Sequence, residues 1–125
     1  MKNLKKIFII CTVVFALLLC MTQSVFAASI SVTAGQSSVK VGNTVAFTIT
    51  VPPKTQAWTY QVAWSDNLTY VSGDTEPMGF EGNSTRNQLI FKANGEGTGK
   101  VWIAGGSYSI DRQPYDASGS ATVSI

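Results

Sequence analysis

Apolar and polar residues alternate with a period of two through most of the chain after residue 28. In residues 43–51 every second side chain is apolar, with threonine or alanine between; the apolar set is Val45, Phe47, Ile49 and Val51. Such alternation is typical of a strand that buries one face. No stretch of a dozen residues in this part of the chain repeats its apolar positions every three to four, as a helix would. The sequence therefore predicts an all-β domain.

Turn-forming residues divide this part of the chain into about eight short strands. The predicted strands are 30–33, 38–41, 43–51, 57–65, 68–72, 88–93, 100–104 and 119–125, and residues 107–110 either continue the strand 100–104 or start another. Residues 73–84 are predicted to form a long loop or an irregular edge, and residues 111–116 a turn. Many short strands at this spacing predict an antiparallel β-sandwich. An open sandwich has edge strands that invite association. The residues predicted to guard these edges are Pro52-Pro53, the Gly105-Gly106 pair, which permits a bulge or sharp bend, and the charged Lys92 and Lys100.

The first residues have the profile of a secretory signal peptide. Three lysines precede an uncharged apolar stretch over residues 7–21, and Ala27 supplies the small residue expected at a cleavage site. The apolar stretch is shorter than the roughly 20 residues of a spanning helix, which disfavours an uncleaved anchor. Lipidation at Cys20 is disfavoured too, because Leu19 stands where a small residue is expected. We expect residues 1–27 to be removed and residues 28–125 to form one secreted domain, either free or associated with the cell surface.

Removal of that segment changes the composition of the protein that functions. Both cysteines, Cys11 and Cys20, belong to it, and the chain has no histidine. Three of the nine basic residues also belong to it, which leaves six against seven acidic residues and a net charge of −1. A nucleic-acid or anionic-membrane partner would need a concentrated basic face. We therefore expect no nucleic-acid partner and no membrane association of the mature form.

Several segments together resemble the cohesin-like and bacterial immunoglobulin-like modules of secreted bacterial proteins. The similar segments are the entry at 30–45, the run from Trp64 through Asp66 and Leu68 to Gly73, and the closing strands at 97–103 and 119–125. The resemblance implies an immunoglobulin-like sandwich. Cohesins are usually longer than this chain. They bind a dockerin module through one sheet face. The resemblance therefore implies a non-catalytic extracellular interaction module whose partner is a dockerin-like or cell-surface protein.

Aromatic residues are the main candidates for a binding surface, because flat rings anchor protein interfaces or stack on sugars. Trp102 alternates with Val101 and Ile103 and is expected to face solvent. Trp58 shares a strand face with Tyr60, Val62 and Trp64, which also fits a core stripe. Two alternatives stay open: a carbohydrate-binding module that stacks Trp102 or Trp58 on a glycan, and a structural or adhesive domain of a surface assembly.

The turn near Pro114 supplies a second candidate region. Three residues flank this turn: Tyr108, Arg112 and Tyr115. Together with the segment 73–87 they are predicted to form a binding surface at one end of the sandwich, because loops on a rigid sandwich often carry binding residues. The predicted binding residues are therefore Trp102, Trp58, Tyr108, Arg112 and Tyr115.

Catalysis, cofactors and metal ions are not expected. The seven carboxylates fall in predicted turns, so no pair of them can be placed across a cleft. The serines have no histidine to act as their base. Asp74, Glu76 and Glu81 lack the regular spacing of a calcium loop and are interpreted as solvated loop charges.

Overall fold

The computed structural model describes residues 29–125, and the predicted signal peptide over 1–27 lies outside them. The described chain forms nine strands: β1 (Ser31–Ala34), β2 (Thr44–Thr50), β3 (Thr55–Trp64), β4 (Leu68–Ser72), β5 (Met78–Phe80), β6 (Arg86–Ala93), β7 (Thr98–Ile110), β8 (Gln113–Asp116) and β9 (Ser120–Ser124). The first sheet has the order β1-β2-β6-β4. The second sheet has the order β5-β3-β7-β8, and β9 also pairs with β7. All strand pairings are antiparallel.

The core lies between the two sheets and is built from the alternating apolar residues. From the first sheet, the inward side chains of β2 and β6 are fully buried and include Phe47, Ile49, Leu89 and Phe91; from the second, the inward side chains of β3 and β7 include Tyr60, Val62, Val101 and Ile103. Rings from both sheets meet, since Trp64 of β3 lies 5.3 Å from Phe91 of β6 between ring centroids. The predicted all-β sandwich is confirmed. Within residues 29–125 no helix is long and apolar enough to cross a membrane.

Three segments differ from the sequence prediction. Residues 38–41 form no strand, because only Ser38 makes a bridge, parallel to Ser124. The segment 73–84 contains β5, so its interpretation as an irregular edge is the right one of the two. The segment 111–116 is a turn only at its first two residues, and the rest is β8. β8 was missed because Pro114 normally argues against a strand, whereas an edge strand tolerates it.

β3 and β7 form the longest pairing among the described strands, and two register shifts interrupt it, one between Thr55 and Ala57 and one between Gln61 and Val62. Gln61 pairs with Gly105 but Val62 pairs with Ile103, so one extra residue lies in β7. The glycine pair at 105–106 was predicted to permit a bulge or bend, and the bulge is confirmed. Gly106 has a φ of 139°, and a Cβ there would lie 2.3 Å from the carbonyl oxygen of Thr59. Only glycine allows the two strands to approach so closely.

Lys92 and Lys100, two of the residues predicted to guard the edges, do not lie on edge strands. Lys92 lies on β6 between β2 and β4, and Lys100 lies on β7 between β3 and β9, so both belong to interior strands. At the β5 edge, the Phe80 N–H donates to Asn83 Oδ1 at 2.7 Å, and the Phe80 carbonyl accepts from the Asn83 N–H at 3.0 Å. The turn after β5 therefore satisfies main-chain groups that an edge would otherwise offer to another strand.

Replacing Gly106 with alanine is expected to destabilise the domain by about 2–4 kcal/mol, because the new methyl group clashes with β3 and φ is strained. Gly105→Ala is the matched control, since a Cβ at Gly105 would meet nothing within 4 Å. We expect the control to change stability by less than about 1 kcal/mol. Urea denaturation followed by tryptophan fluorescence measures both. Equal losses in the two variants would contradict the role given to the close approach.

Candidate functional site

The edge strand β5 presents the two most exposed large apolar side chains of the described residues. Met78 is 74% exposed and Phe80 is 65% exposed. They project from the same face of the strand because Gly79 stands between them, and they pair with Thr59 and Ala57 of β3. Contiguous exposed apolar patches are uncommon on monomeric proteins and often mark interaction surfaces. We therefore take the face of the second sheet turned away from the core, called the outer face below, as the candidate site.

A shallow groove of about 300 Å³ crosses the outer face beside β5. Met78 and Phe80 stand on one side of it, and Pro114 of β8 stands on the other. Its small side chains come from alternate positions of the two central strands: Ala57, Thr59, Ser107 and Ser109. This groove, called the β5 groove below, exists because small residues lie at its centre and larger ones at its rims.

The sequence prediction missed Met78 and Phe80. Residues 73–84 were interpreted by their glycines, acidic residues and asparagine, which favour loops. A weak strand signal was present, since Met78 and Phe80 are two residues apart and the glycine between them leaves the other face empty. The pairing with β3 extends past β5, because the Val62 N–H donates to the Thr75 carbonyl at 2.9 Å. Pro77 has no backbone N–H and therefore argues against a strand at this position, so the sequence pattern does not predict the longer edge.

Trp58 and Tyr108 lie beneath the β5 groove and belong to the core. They pair with each other across β3 and β7, with 7% and 4% of their surfaces exposed. Gly79 makes room for the indole, because a Cβ at Gly79 would lie 2.2 Å from Trp58 Cζ2. Both residues line the groove, yet their rings are covered. A glycan cannot lie flat on the Trp58 ring in this arrangement, whereas the predicted core stripe agrees with it.

Tyr115 and Arg112 lie on the hairpin formed by β7 and β8. The Tyr115 ring is 44% exposed and stacks on Tyr108, with centroids 5.4 Å apart and planes at 21°. Asp111 and Arg112 form the two-residue turn, and both have positive φ, 50° and 62°, as a type I′ turn requires. The Arg112 N–H donates to Gln56 Oε1 at 2.7 Å, which ties the turn to β3.

Trp102 lies on the outer face, away from the β5 groove. It is half-buried, and its partners across the sheet are the small residues Ala63 and Ser120. Lys100 Nζ is 5.5 Å from the centroid of its ring, within the range of a cation–π contact. The structure thus places Trp102 on the same face as Met78 and Phe80, and it places Trp58 and Tyr108 below that face.

A smaller cavity of about 170 Å³ lies on the other side of Met78, beside the segment 73–87. Asn87 Nδ2 donates to the Asp74 carbonyl at 2.7 Å and to the Tyr60 hydroxyl at 3.4 Å. Burial raises the pKa of the Tyr60 phenol, the hydrogen bond from Asn87 lowers it, and the charge of Asp74 raises it further. These contacts hold the segment before β5 against the sheet and so fix the position of Met78.

Within residues 29–125 no group of three His, Cys, Asp or Glu side chains is arranged to hold a metal ion. Asp74, Glu76 and Glu81 are all exposed, and Asp74 Oδ1 accepts from the Glu76 N–H at 3.0 Å, which is a local turn contact.

No family model matches the chain, and no curated protein matches its sequence. Among solved structures it is similar to the cupredoxin domain of amoB from Nitrosocaldus yellowstonii, at 13% sequence identity and a TM-score of 0.36. The match covers 66% of this chain and 54% of that one. The assignment of the sandwich accordingly rests on the chain's own strand pairing.

Alkaline pH is expected to destabilise the domain. The folded state holds the Tyr60 proton more tightly than the unfolded state does, so this stability is present below about pH 10 and is lost as pH rises further. Burial raises the pKa of Tyr108 in the same direction, with a further contribution from Tyr115. Urea midpoints that are lower at about pH 11 than at about pH 8 would agree with this linkage.

The variant Tyr60→Phe separates this effect from general alkaline denaturation. At about pH 8 it should be less stable by about 1 kcal/mol, because the hydrogen bond with Asn87 is lost. At about pH 11 the difference should shrink, because the variant has no phenolic proton to lose at this position. A difference that is the same at both pH values would contradict the assignment.

Proposed function

We propose that this protein is a non-catalytic, secreted interaction module that binds a protein partner through the outer face of its second sheet. The observation that carries the proposal is the β5 groove, in which the exposed Met78 and Phe80 face Pro114 across a row of small side chains. Apolar residues around a pocket are the usual centre of a protein interface, where a few side chains provide most of the affinity. The predicted signal peptide supports an extracellular location.

The strand order supports the finer assignment to an immunoglobulin-like, cohesin-like sandwich. In the constant-type immunoglobulin fold one sheet has the order A-B-E-D and the other contains C, F and G. If β1 and β2 are taken as A and B, then β6 and β4 take the places of E and D, and β3, β7 and β9 those of C, F and G. β5 is an addition to this arrangement, and it forms one side of the groove. The proposed partner is accordingly a dockerin-like or cell-surface protein.

The absence of histidine from the chain supports a binding role, since histidine is the commonest general base in enzymes. The outer face also offers few charged groups. By strand register, Lys100 beside Trp102 and Asp116 beside Ser107 are the charged residues of β7 and β8 on this face. A face with small central side chains and sparse charge resembles the depleted-charge centre of protein interfaces.

Selection of peptides from a random display library against the secreted protein tests the proposal. Selected peptides should lose at least about tenfold in affinity for the double variant Met78→Glu, Phe80→Glu, because charges replace the apolar side of the groove. Val71→Glu is the matched control: Val71 is 51% exposed but lies on β4 of the first sheet. Peptides that bind the double variant as well as the wild type would contradict the proposal.

A glycan array run in parallel separates the protein-binding function from the carbohydrate-binding alternative. Trp102 is the one predicted stacking residue whose ring is partly open on the outer face. We expect no glycan to bind specifically. Glycan binding that disappears in Trp102→Ala while Met78→Glu, Phe80→Glu retains it would replace the proposal with the carbohydrate-binding function.

A further inference from the structure

The outer face contains both the β5 groove and an aromatic ring, that of Trp102, of a size to fill such a groove. Trp102 has small neighbours, Ala63 on β3 and Ser120 on β9, and it is half-buried, so part of its ring is open to solvent at that end of the face. The β5 groove lies on the same two central strands, where Thr59 pairs with Ser107. Thr59 and Ala63 are four residues apart on β3, which places ring and groove about 13 Å apart along the strands.

We infer that the outer face binds a second copy of this chain in a two-fold arrangement, with Trp102 of each copy in the β5 groove of the other. This inference rests on the proposed function, because it uses the same groove, and it adds a second copy of the chain as an alternative occupant to the proposed partner. A two-fold axis that lies in the contact plane, perpendicular to the strands, reverses the order of residues along β7 between the copies. Trp102 of one copy then faces Ser107 of the other, and the reverse contact forms at the same time, as a self-complementary interface requires.

Charge on the outer face agrees with this partner. Lys100 lies two residues before Trp102 on β7, with its Nζ near the indole ring. Asp116 on β8 pairs with Ser107, at the groove. When Trp102 of one copy enters the groove of the other, Lys100 of the first copy comes within reach of Asp116 of the second. Two such pairs of opposite charge form per dimer, which favours this orientation over one that aligns the copies in parallel.

The size of the face sets the strength of the association. Four strands at about 4.8 Å spacing and about ten residues at about 3.3 Å rise give a contact face of about 600 Å² per copy. The total of about 1,200 Å² lies at the lower limit of stable specific interfaces. The dimer is therefore a weak, reversible one that exchanges with monomer, and a copy bound to the outer face competes with any other protein for the same groove.

Analytical ultracentrifugation of the secreted protein tests the inference directly. We expect a monomer–dimer equilibrium with a dissociation constant between about 10 μM and about 1 mM, weaker at high salt because exposed charges are screened. Trp102→Ala and Lys100→Glu should each weaken the dimer at least about tenfold. The double variant Lys100→Glu, Asp116→Lys should recover dimerisation, because the pairs re-form with reversed signs. Val71→Ser on the first sheet is the control and should leave the constant unchanged.

A protein that remains monomeric at about 1 mM, or a dimer that is unaffected by both Trp102→Ala and Lys100→Glu, would overturn the inference. Circular dichroism and urea midpoints show whether each variant is folded, and Trp102→Phe, which keeps a ring on the outer face, should retain part of the affinity if Trp102→Ala does not fold. The proposed function has a separate outcome. Peptides that depend on Met78 and Phe80 for binding would support it even when no dimer is found.

Discussion

The pairing of β3 with β7 is the constraint on which the core and the candidate site both depend. These are the two longest strands of residues 29–125, and they lie side by side at the centre of the second sheet. The bulge opposite Gln61, the close approach at Gly106 and a second register shift between Thr55 and Ala57 permit the pairing to continue to Ile110. Because the pairing continues, Trp58 meets Tyr108 directly, and the far end of the sheet is closed by aromatic rings.

The same pairing also produces the β5 groove on the outer face. In a strand, alternate residues point to opposite sides, so placing Trp58 and Tyr108 toward the core leaves Ala57, Thr59 and Ser107 facing outward. β5 then adds Met78 and Phe80 to one side of these small residues. The large rings below and the small side chains above are thus two consequences of one register. A shift of one residue would exchange them and remove the groove.

The strands with regular alternation could be predicted from the sequence, and so could the sandwich. β2 and β9 were found near their observed bounds, because each carries a clear two-residue period. β5 was predicted only as an irregular edge and β8 was missed, because they are edge strands of three and four residues that follow or contain proline. An edge strand needs only one partner and few buried side chains, so its sequence carries little of the apolar pattern on which the prediction relied. The candidate site shows the same division. The alternation in β7 predicts that Trp102 faces solvent, whereas the short strand β5 gives only a weak signal for Met78 and Phe80.

The sequence by itself determined that the part of the chain after residue 28 is all-β, that its core is formed by alternating apolar residues, and that it has neither cysteine nor histidine once residues 1–27 are set apart. These properties follow from residue type and local period alone. Only the tertiary structure decided which aromatic residues are covered and which apolar residues are exposed. The sequence alone does not show whether Trp58 or Met78 is covered or exposed. Their positions depend on which strands pair with each other. Contacts between segments distant in the chain decide this pairing, such as Gly79 against the Trp58 ring and Gly106 against Thr59. No local sequence pattern predicts such contacts.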